Sequence, residues 1–169
     1  RVRRQRQMCI RDRILDEEIA SVEEEMLQII NSDPSILRNY ELLNSIKGIG
    51  TINAMNTIIH TNNFQAFETA RQYACYLGIA PFEHSSGTSI KGKTRVYPTG
   101  AKLLKADLSQ AANSAIVWDK EMKEYYERKR KEGKAYGVVL NAVKFKLVGR
   151  MFAVVKRGTP FVELMTYKK

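Results

Sequence analysis

Along most of this 169-residue chain, apolar residues recur at steps of three and four, and this spacing constrains the fold more than any other feature. The period places side chains on one face of an α-helix. Glycine and proline mark the ends of the periodic segments. Residues near 80–97 lack the period and are rich in hydroxyls, glycines and cations. The pattern predicts a mainly α protein with one short extended loop region.

Residues 14–40 predict an acidic helical arm. Pro34 should end its first helix, because proline has no amide donor, and Asp33 and Ser35 should cap the next one. Its apolar seam is heptad-like and consists of Leu15, Ile19, Val22, Met26 and Ile29. A coiled coil joining two copies fits this seam, and so does a single amphipathic helix packed on its own domain. Residues 1–13, with six arginines and no apolar period, fit neither a helix face nor a strand; they are expected to be a ragged basic segment, foreign to the folded domain.

Residues 41–161 predict a compact helical domain, followed by a basic tail at 162–169. Its first two helices flank the turn "GIG", the layout of a helix-hairpin-helix. Gly48 and Gly50 would then leave backbone N–H groups free to hold a phosphate, although an ordinary helical turn also explains them. The expected faces of these helices are Leu42, Leu43 and Ile46, then Ile52, Met55, Ile58 and Ile59.

Four further helices are predicted. The first contains Phe64, Phe67, Ala70, Tyr73, Ala74 and Leu77 and ends at Gly78, with Phe67, Tyr73 and Tyr76 in the core. The others span about 101–118, 121–133 and 135–158, the last two ending at Gly133 and Gly158. Their inward residues are expected to be Leu103, Leu104, Leu108, Ala111, Ala112 and Ala115; Met122, Tyr125 and Tyr126; and Val139, Leu140, Val143, Leu147, Met151 and Val154.

The net charge of +10 is unevenly distributed. It is +5 over residues 1–13, −7 over 14–83 and +12 over 84–169. A basic half attracts polyanions such as nucleic acid, although a solvated surface kept for solubility has the same composition. No apolar run is long enough for a membrane span or a signal peptide, so a cytoplasmic protein with no membrane partner is expected. Two isolated cysteines and two histidines predict neither a metal site nor a disulfide.

The loop "SSGTSIKGKTR" at residues 85–95 combines hydroxyls, glycines and cations. Nucleophilic attack on a phosphodiester needs an exposed hydroxyl, a backbone that closes on the substrate and cations for the developing charge. The loop supplies each of these, but no strong general base, since His84 is a lone histidine. From the residues alone it could be a phosphate-binding loop, a plain turn or a nucleophilic site.

Four stretches, in this order, resemble the C-terminal transposase domain of the insertion sequence one-ten family, the DEDD transposases related to Piv-type DNA invertases. They are "LLNSIKGIGTINA", "FETARQYACYLGIAPFEHSSGTSIKGKTRV", "TGAKLLKADLSQAANSA" and "YYERKRKEGKAYGVVLNAVKFKLV". The similarity covers residues 41–161. Its most specific part is "GIAP" followed by "SGTS", a basic-Gly-basic step and a helix opening on glycine.

The resemblance implies DNA recombination and transposition. It implies that Ser86, before Gly87, is the nucleophile that attacks a DNA phosphodiester, with Ser85 and Ser89 as alternatives. DNA is the implied partner, a guide RNA is a second candidate partner, and a homo-oligomer formed through the helical arm is expected in the bacterial nucleoid. The residues expected to bind nucleic acid are Gly48, Gly50, Ser85, Gly87, Ser89, Lys91, Lys93, Arg95, Lys102 and Lys105.

Two departures from the family pattern shape these expectations. Where the family has Ser-Lys-x-Gly-Asn, residues 97–101 read Tyr-Pro-Thr-Gly-Ala. Nothing upstream of Ile14 resembles the RuvC-like domain whose four carboxylates bind divalent metal. No cofactor is therefore expected in this chain, and Mg²⁺ is expected only in the missing domain. The chain is interpreted as a transposase fragment that binds nucleic acid but does not recombine it alone. The alternatives are a non-catalytic helix-hairpin-helix binder of DNA or RNA and a protein-interaction module that uses the arm.

Overall fold

The computed structural model describes the backbone of residues 2–82, 85–86, 90–91, 95–96 and 101–162, and the side chains of residues 11–82, 96 and 101–162. Over these ranges the fold is mainly α, as predicted. The helices are α1 (Val2–Ser32), α2 (Pro34–Asn44), α3 (Thr51–His60), α4 (Ala70–Tyr76), α5 (Lys102–Trp118), α6 (Lys120–Lys131) and α7 (Tyr136–Arg157). The strands are β1 (Pro81–Phe82), β2 (Ser85–Ser86), β3 (Ile90–Lys91) and β4 (Arg95–Val96). The chain divides into two compact units, Arg1–Arg38 and Asn39–Lys169.

The first unit is dominated by α1, which ends at Ser32, just before Asp33 and Pro34 as predicted. The Asp33 carboxylate accepts a hydrogen bond from the Ser35 amide at 2.8 Å and one from the Ile36 amide at 3.3 Å. These amides belong to the first turn of α2, where no backbone acceptor is available to them. Asp33 is therefore the N-cap of α2, and proline is tolerated at the following position because its missing N–H would be unpaired there anyway.

The expectation that residues 1–13 form no helix is wrong, because α1 already begins at Val2. The lack of an apolar period excludes an amphipathic face but does not exclude a helix. Arginine, glutamine and methionine all have favourable helix propensity. Adding residues to an existing helix also avoids the cost of nucleation, so a polar segment next to a periodic one can extend the same helix.

The second unit is built around α5 and α7. α5 packs against α3, α6 and α7, and α7 packs against α4, α5 and α6. The predicted apolar face of α7 is buried in full, and on α5 the buried positions include three alanines. Alanine side chains let two helix backbones approach closely. The buried residues of these two helices include Leu104, Leu108, Ala111, Ala112 and Ala115, and Val139, Leu140, Val143, Leu147, Met151 and Val154.

Four residues expected inside are exposed. Ile52, Ile59, Tyr76 and Leu103 are all more than 40% exposed, and Leu103 reaches 82%. Each of the four is three or four residues from another apolar residue, which is why it was expected inside. At 3.6 residues per turn, however, each lies roughly 100° or more around the helix from the centre of the buried stripe. On α3 that stripe is centred between Ala54 and Ile58, and the buried polar residue Thr57 belongs to it.

The helix predicted through Phe64 and Phe67 is shorter than expected, since α4 begins at Ala70. Asn62, Asn63 and Phe64 all have positive φ, which no helix interior accommodates. Thr69 then caps α4, because its side chain accepts from the Gln72 amide at 3.3 Å while the Gln72 side chain accepts from the Thr69 amide at 3.1 Å. This reciprocal capping box fixes the start of the helix. The helix ends predicted at Gly78, Gly133 and Gly158 are confirmed, and all three glycines have positive φ.

A buried carboxylate joins α6 to α7. Asp119 is 1% exposed and caps α6 by accepting from the Met122 amide at 2.9 Å. Its second oxygen lies 2.5 Å from the Arg150 guanidinium of α7, which also reaches Glu121 at 2.6 Å. The guanidinium carbon of Arg150 lies 4.5 Å from the ring centre of Phe161. Through these contacts with Asp119, Glu121 and Phe161, Arg150 connects α6, α7 and the segment that follows α7.

Candidate nucleic-acid interface

The strands of residues 81–96 form two antiparallel ladders. β1 pairs with β4, with Pro81 opposite Val96 and Phe82 opposite Arg95. β2 pairs with β3, with Ser85 opposite Lys91 and Ser86 opposite Ile90. Residues directly opposite each other in such ladders have Cα atoms about 4.5–5.5 Å apart. The backbone pairing therefore places Ser85 opposite Lys91, with Ser86 in the next pair, while Arg95 lies on the other ladder. We call the four strands β1–β4 together the serine hairpin.

The rest of the predicted loop site is not covered by the structure. Gly87, Ser89 and Lys93 lie outside the described residues, as does His84, which was considered as a base. For Ser85, Ser86, Lys91 and Arg95 the structure describes the backbone. These predictions about side-chain roles therefore stay predictions.

The chain enters α5 shortly after the serine hairpin, and the first turns of α5 carry two predicted phosphate-binding lysines. Lys102 is exposed. Lys105 donates a hydrogen bond from Nζ to the carbonyl oxygen of Gly78 at 2.9 Å. Among the described residues, no side chain caps the start of α5 at Ala101. The helix dipole is positive at this end, so it adds to the lysine charges and favours an anion there.

The two glycines of the "GIG" turn lie in different surroundings. Gly48 has φ +93°, and a Cβ on it would lie 2.7 Å from the carbonyl oxygen of Ala111 and 2.7 Å from the Cβ of Ala115. Close packing against α5 therefore explains this glycine without a ligand. Gly50 is exposed and precedes α3 in an extended conformation, and no atom of the described residues lies near the position of a Cβ. Of the two, Gly50 has the more accessible backbone.

Sequence reasoning missed Lys144, a lysine on the buried face of α7. It is 6% exposed, and its Nζ donates to the Ser109 hydroxyl at 2.8 Å. Burial, and next the nearby charge of Lys105, lower the pKa of Lys144. The only signal in the sequence was its position beside Val143 in the core register of α7. The spacing of apolar residues alone does not identify a buried lysine.

The described residues thus define a basic helical domain with a short hairpin inserted before α5. Sequence comparisons specify the family. The chain belongs to the Transposase IS116/IS110/IS902 family, whose sequence model matches residues 40–127, just over half of its length. This match confirms the resemblance found in the sequence.

Individual relatives agree with this assignment. The chain is 26% identical over 145 residues to the "Pilin gene-inverting protein" of Moraxella bovis, an alignment that covers 85% of this chain and 45% of the relative. The protein of the same name from Moraxella lacunata matches equally, at 26% over 145 residues, with 85% and 45% covered. The chain is 30% identical over 118 residues to the "Insertion element IS110 uncharacterized 43.6 kDa protein" of Streptomyces coelicolor, with 70% of this chain and 29% of the relative covered. The chain therefore spans less than half the length of these curated relatives.

Two further properties concern metals and membranes. In the part of the chain that the structure describes, no three His, Cys, Asp or Glu side chains are grouped so that they could hold a metal ion. None of the helices within the described ranges combines the length and apolar content that a membrane span requires.

Proposed function

We propose that this chain is the DNA-recombining domain of a transposase, and that Ser86 is the nucleophile that attacks a DNA strand. The observation that carries the proposal is the register of the serine hairpin in a chain of this family. Ser86 pairs with Ile90, the neighbouring pair is Ser85 with Lys91, and Arg95 lies on the adjoining ladder. A hydroxyl and two cations are therefore carried by one hairpin.

The proposed reaction is a transfer of a phosphoryl group between oxygens. A bond forms between the Ser86 Oγ and a phosphorus of the DNA backbone, and the bond from that phosphorus to a deoxyribose oxygen breaks. The serine proton passes to water, and the departing deoxyribose oxygen takes up a proton. Attack by the hydroxyl of another DNA end then reverses these steps, releasing Ser86 and joining the new strands. No oxidant or reductant is needed.

The cations near the hairpin support this chemistry. Negative charge on the phosphate oxygens increases in the transition state, and fixed positive charges stabilise it. Lys91 and Arg95 are carried on β3 and β4, while Lys102 and Lys105 are on the first turns of α5. Gly87, Ser89 and Lys93 are proposed to complete the loop around the phosphate, and Gly50 to contact the backbone of the same DNA.

A divalent metal is implied by the family resemblance, and the described residues of this chain do not fit one. We place the metal in a RuvC-like domain outside this chain. The role proposed for the present domain depends on its own hydroxyl and cations.

The relatives' names support DNA as the substrate. One relative is named for inverting a pilin gene and another for an insertion element. By extension, we propose that the present chain acts on a DNA segment that is moved or inverted. A guide RNA remains a candidate partner that would select the target sequence.

We also propose that the arm joins two copies of the protein. Four of the five seam residues, Leu15, Ile19, Val22 and Ile29, are between 51% and 66% exposed, and Met26 is half-buried. A stripe of this kind at heptad spacing is buried when two such helices pair. A homo-oligomer would bring two serine hairpins to one pair of DNA sites.

The test is a recombination assay with the chain joined to the remaining part of a related transposase. Ser86→Ala should abolish strand exchange while DNA binding is retained, because only the attacking oxygen is removed. Ser85→Ala is the matched control and should keep exchange within about tenfold of the unmodified protein, a difference of about 1.4 kcal/mol in the barrier. Equal exchange by Ser86→Ala and the unmodified protein would overturn the assigned role and favour a non-catalytic nucleic-acid binder.

A further inference from the structure

A groove of about 770 Å³ lies beside the serine hairpin, in the second compact unit. Its lining includes Pro81 and Val96, which are paired across β1 and β4, and residues of α5, α6 and α7. We call it the lysine groove and define it by the six residues Lys105, Tyr125, Val138, Asn141, Lys144 and Lys146. Its volume lies within the range of about 300–1,000 Å³ that is typical of ligand sites.

The charged residues that line the groove are all basic. Three lysines line it, and the described lining residues include no carboxylate. Within the described ranges, neither Lys105 nor Lys144 forms an ion pair with an acidic side chain. Burying an ammonium group without a counter-charge disfavours the folded state, so such a group is a candidate for binding an anion.

The two inner lysines are held in place by single hydrogen bonds. Lys144 Nζ donates to Ser109 Oγ at 2.8 Å, and that hydroxyl donates to the carbonyl oxygen of Lys105 at 2.7 Å. Lys105 Nζ donates to the carbonyl oxygen of Gly78. Because an ammonium group has three N–H donors, each lysine keeps donors for a phosphate after this anchoring.

The rim of the groove is apolar and aromatic. Val138 is 61% exposed, and Tyr125 lies beneath Lys146, whose Nζ is 4.7 Å from the ring centre. Asn141 donates to the carbonyl oxygen of Ile79 at 2.8 Å and so fixes α7 to the segment that leads into β1. A base released from the stack can lie against such a wall, whereas in a duplex the bases are paired and mainly the phosphates can be reached.

From this combination we infer that the lysine groove binds an unpaired nucleotide of DNA, with its phosphate on Lys105 and Lys144 and its base against Val138 and Tyr125. The inference rests on the proposed function, which makes DNA the substrate. It adds residues of α6 and α7 to an interface that the sequence placed on the "GIG" turn, the loop at residues 85–95 and the start of α5. An unpaired nucleotide next to the serine hairpin is what a strand held open for exchange would present.

The test measures binding of the 169-residue chain to a labelled single-stranded DNA oligonucleotide and to the same sequence as a duplex. Lys144→Met should bind the single strand about tenfold more weakly, the effect expected for loss of one charge-assisted hydrogen bond. Its plot of log affinity against log salt should be flatter by about 0.7, the value for one phosphate contact on a single strand. Its affinity for the duplex should change much less. Lys156→Met, an exposed lysine of α7 outside the groove, is the matched control and should bind like the unmodified chain.

A melting curve of Lys144→Met separates binding from folding. Methionine fills a similar volume without the unpaired charge, so the melting temperature should stay equal or rise. A lysine with a purely structural role would give the reverse, a lower melting temperature with unchanged affinity, and that result would overturn the inference. An equal loss on single strand and duplex would overturn it as well.

If Lys144→Met does not fold, a second pair of variants tests whether the lysine groove binds the single strand. Val138→Asp adds a carboxylate at the groove rim, and Val117→Asp adds one at a similarly exposed valine, 64% exposed, that does not line the groove. The first should weaken single-strand binding about tenfold more than the second, through repulsion of the phosphate. Equal effects would contradict the inference. If the unmodified chain binds neither oligonucleotide, the proposed function itself fails, which is a different result from loss of the groove's contribution alone.

Discussion

At the scale of single residues, the two glycines of the "GIG" turn differ in whether the structure needs a residue without a side chain. Gly48 has a positive φ and touches α5, so its missing side chain is needed for both conformation and space. Gly50 needs neither, since its φ is −107° and no atom in the described part of the chain lies near its Cβ position. The sequence pattern "GIG" assigns both glycines the same role, whereas the packing separates them.

Gly48→Ala should therefore destabilise the second unit by about 2–4 kcal/mol, from an unfavourable φ together with overpacking against Ala111 and Ala115. Gly50→Ala, the matched control, should cost about 1 kcal/mol or less, the usual effect of alanine at an N-cap. Denaturant unfolding of both variants measures the difference. Equal stabilities would contradict the close packing of Gly48.

Tyr73 gives a second prediction at this scale. It is 2% exposed, and burial raises its pKa to about 12, against a smaller opposite effect of a hydrogen bond with Thr57. A tyrosine in the unfolded chain ionises near pH 10. Between about pH 10 and 12 the unfolded chain therefore binds fewer protons at this site than the folded one, so stability falls as pH rises.

Tyr73→Phe should remove this alkaline loss. Relative to the unmodified chain, the variant should gain stability from pH 10 to pH 12, up to about 3 kcal/mol for a shift of two pKa units. Unfolding free energies of both proteins at a series of pH values give the difference curve. A flat difference curve would show that the hydroxyl of Tyr73 is not held neutral by burial.

At the scale of elements, the most informative feature is the exposed seam of α1. Acidic residues flank this seam in the sequence, and the seam itself suits pairing with another helix. Val22 lies near the middle of the seam and is 55% exposed. If the arm pairs with a second copy, a charge at this position would be buried in the pair without a partner.

Val22→Glu should therefore weaken self-association at least about tenfold, because a carboxylate would have to leave water on pairing. Gln28→Glu adds the same charge at an exposed position outside the seam and should have little effect. Sedimentation velocity over a range of protein concentrations measures the change. Unaltered association of Val22→Glu would place the oligomer contact elsewhere.

The elements also show where sequence reasoning works. The face of α7, and that of α5 apart from Leu103, could be predicted because long helices bury a stripe with many apolar positions. The buried faces of the short helices α3 and α4 were harder to predict, because about two to three turns contain few apolar positions from which to find the centre of the stripe. Ile59 and Tyr76 were therefore placed inward although both are exposed. The charged residue Lys144 was missed because burial of a lysine depends on what α5 places beside it.

At the scale of the whole molecule, the mainly α fold followed from the apolar spacing, and the family followed from the order of motifs along the chain. The position of the serine hairpin next to a groove formed by α5, α6 and α7 could not be predicted from the sequence. That arrangement depends on contacts between segments far apart in sequence, such as Asn141 with Ile79 and Lys105 with Gly78. Periodicity identifies which face of a helix is buried, but it does not identify the neighbour that covers it.

The central claim is that Ser86 becomes joined to DNA. The measurement that tests it is mass spectrometry of the covalent protein–DNA adduct, formed with a nicked DNA substrate by the chain joined to the rest of a related transposase. The account predicts one adduct, on the peptide containing Ser86, with the mass of a phosphodiester-linked nucleotide, and none in Ser86→Ala. An adduct on another residue, or strand exchange that proceeds without any adduct, would contradict it.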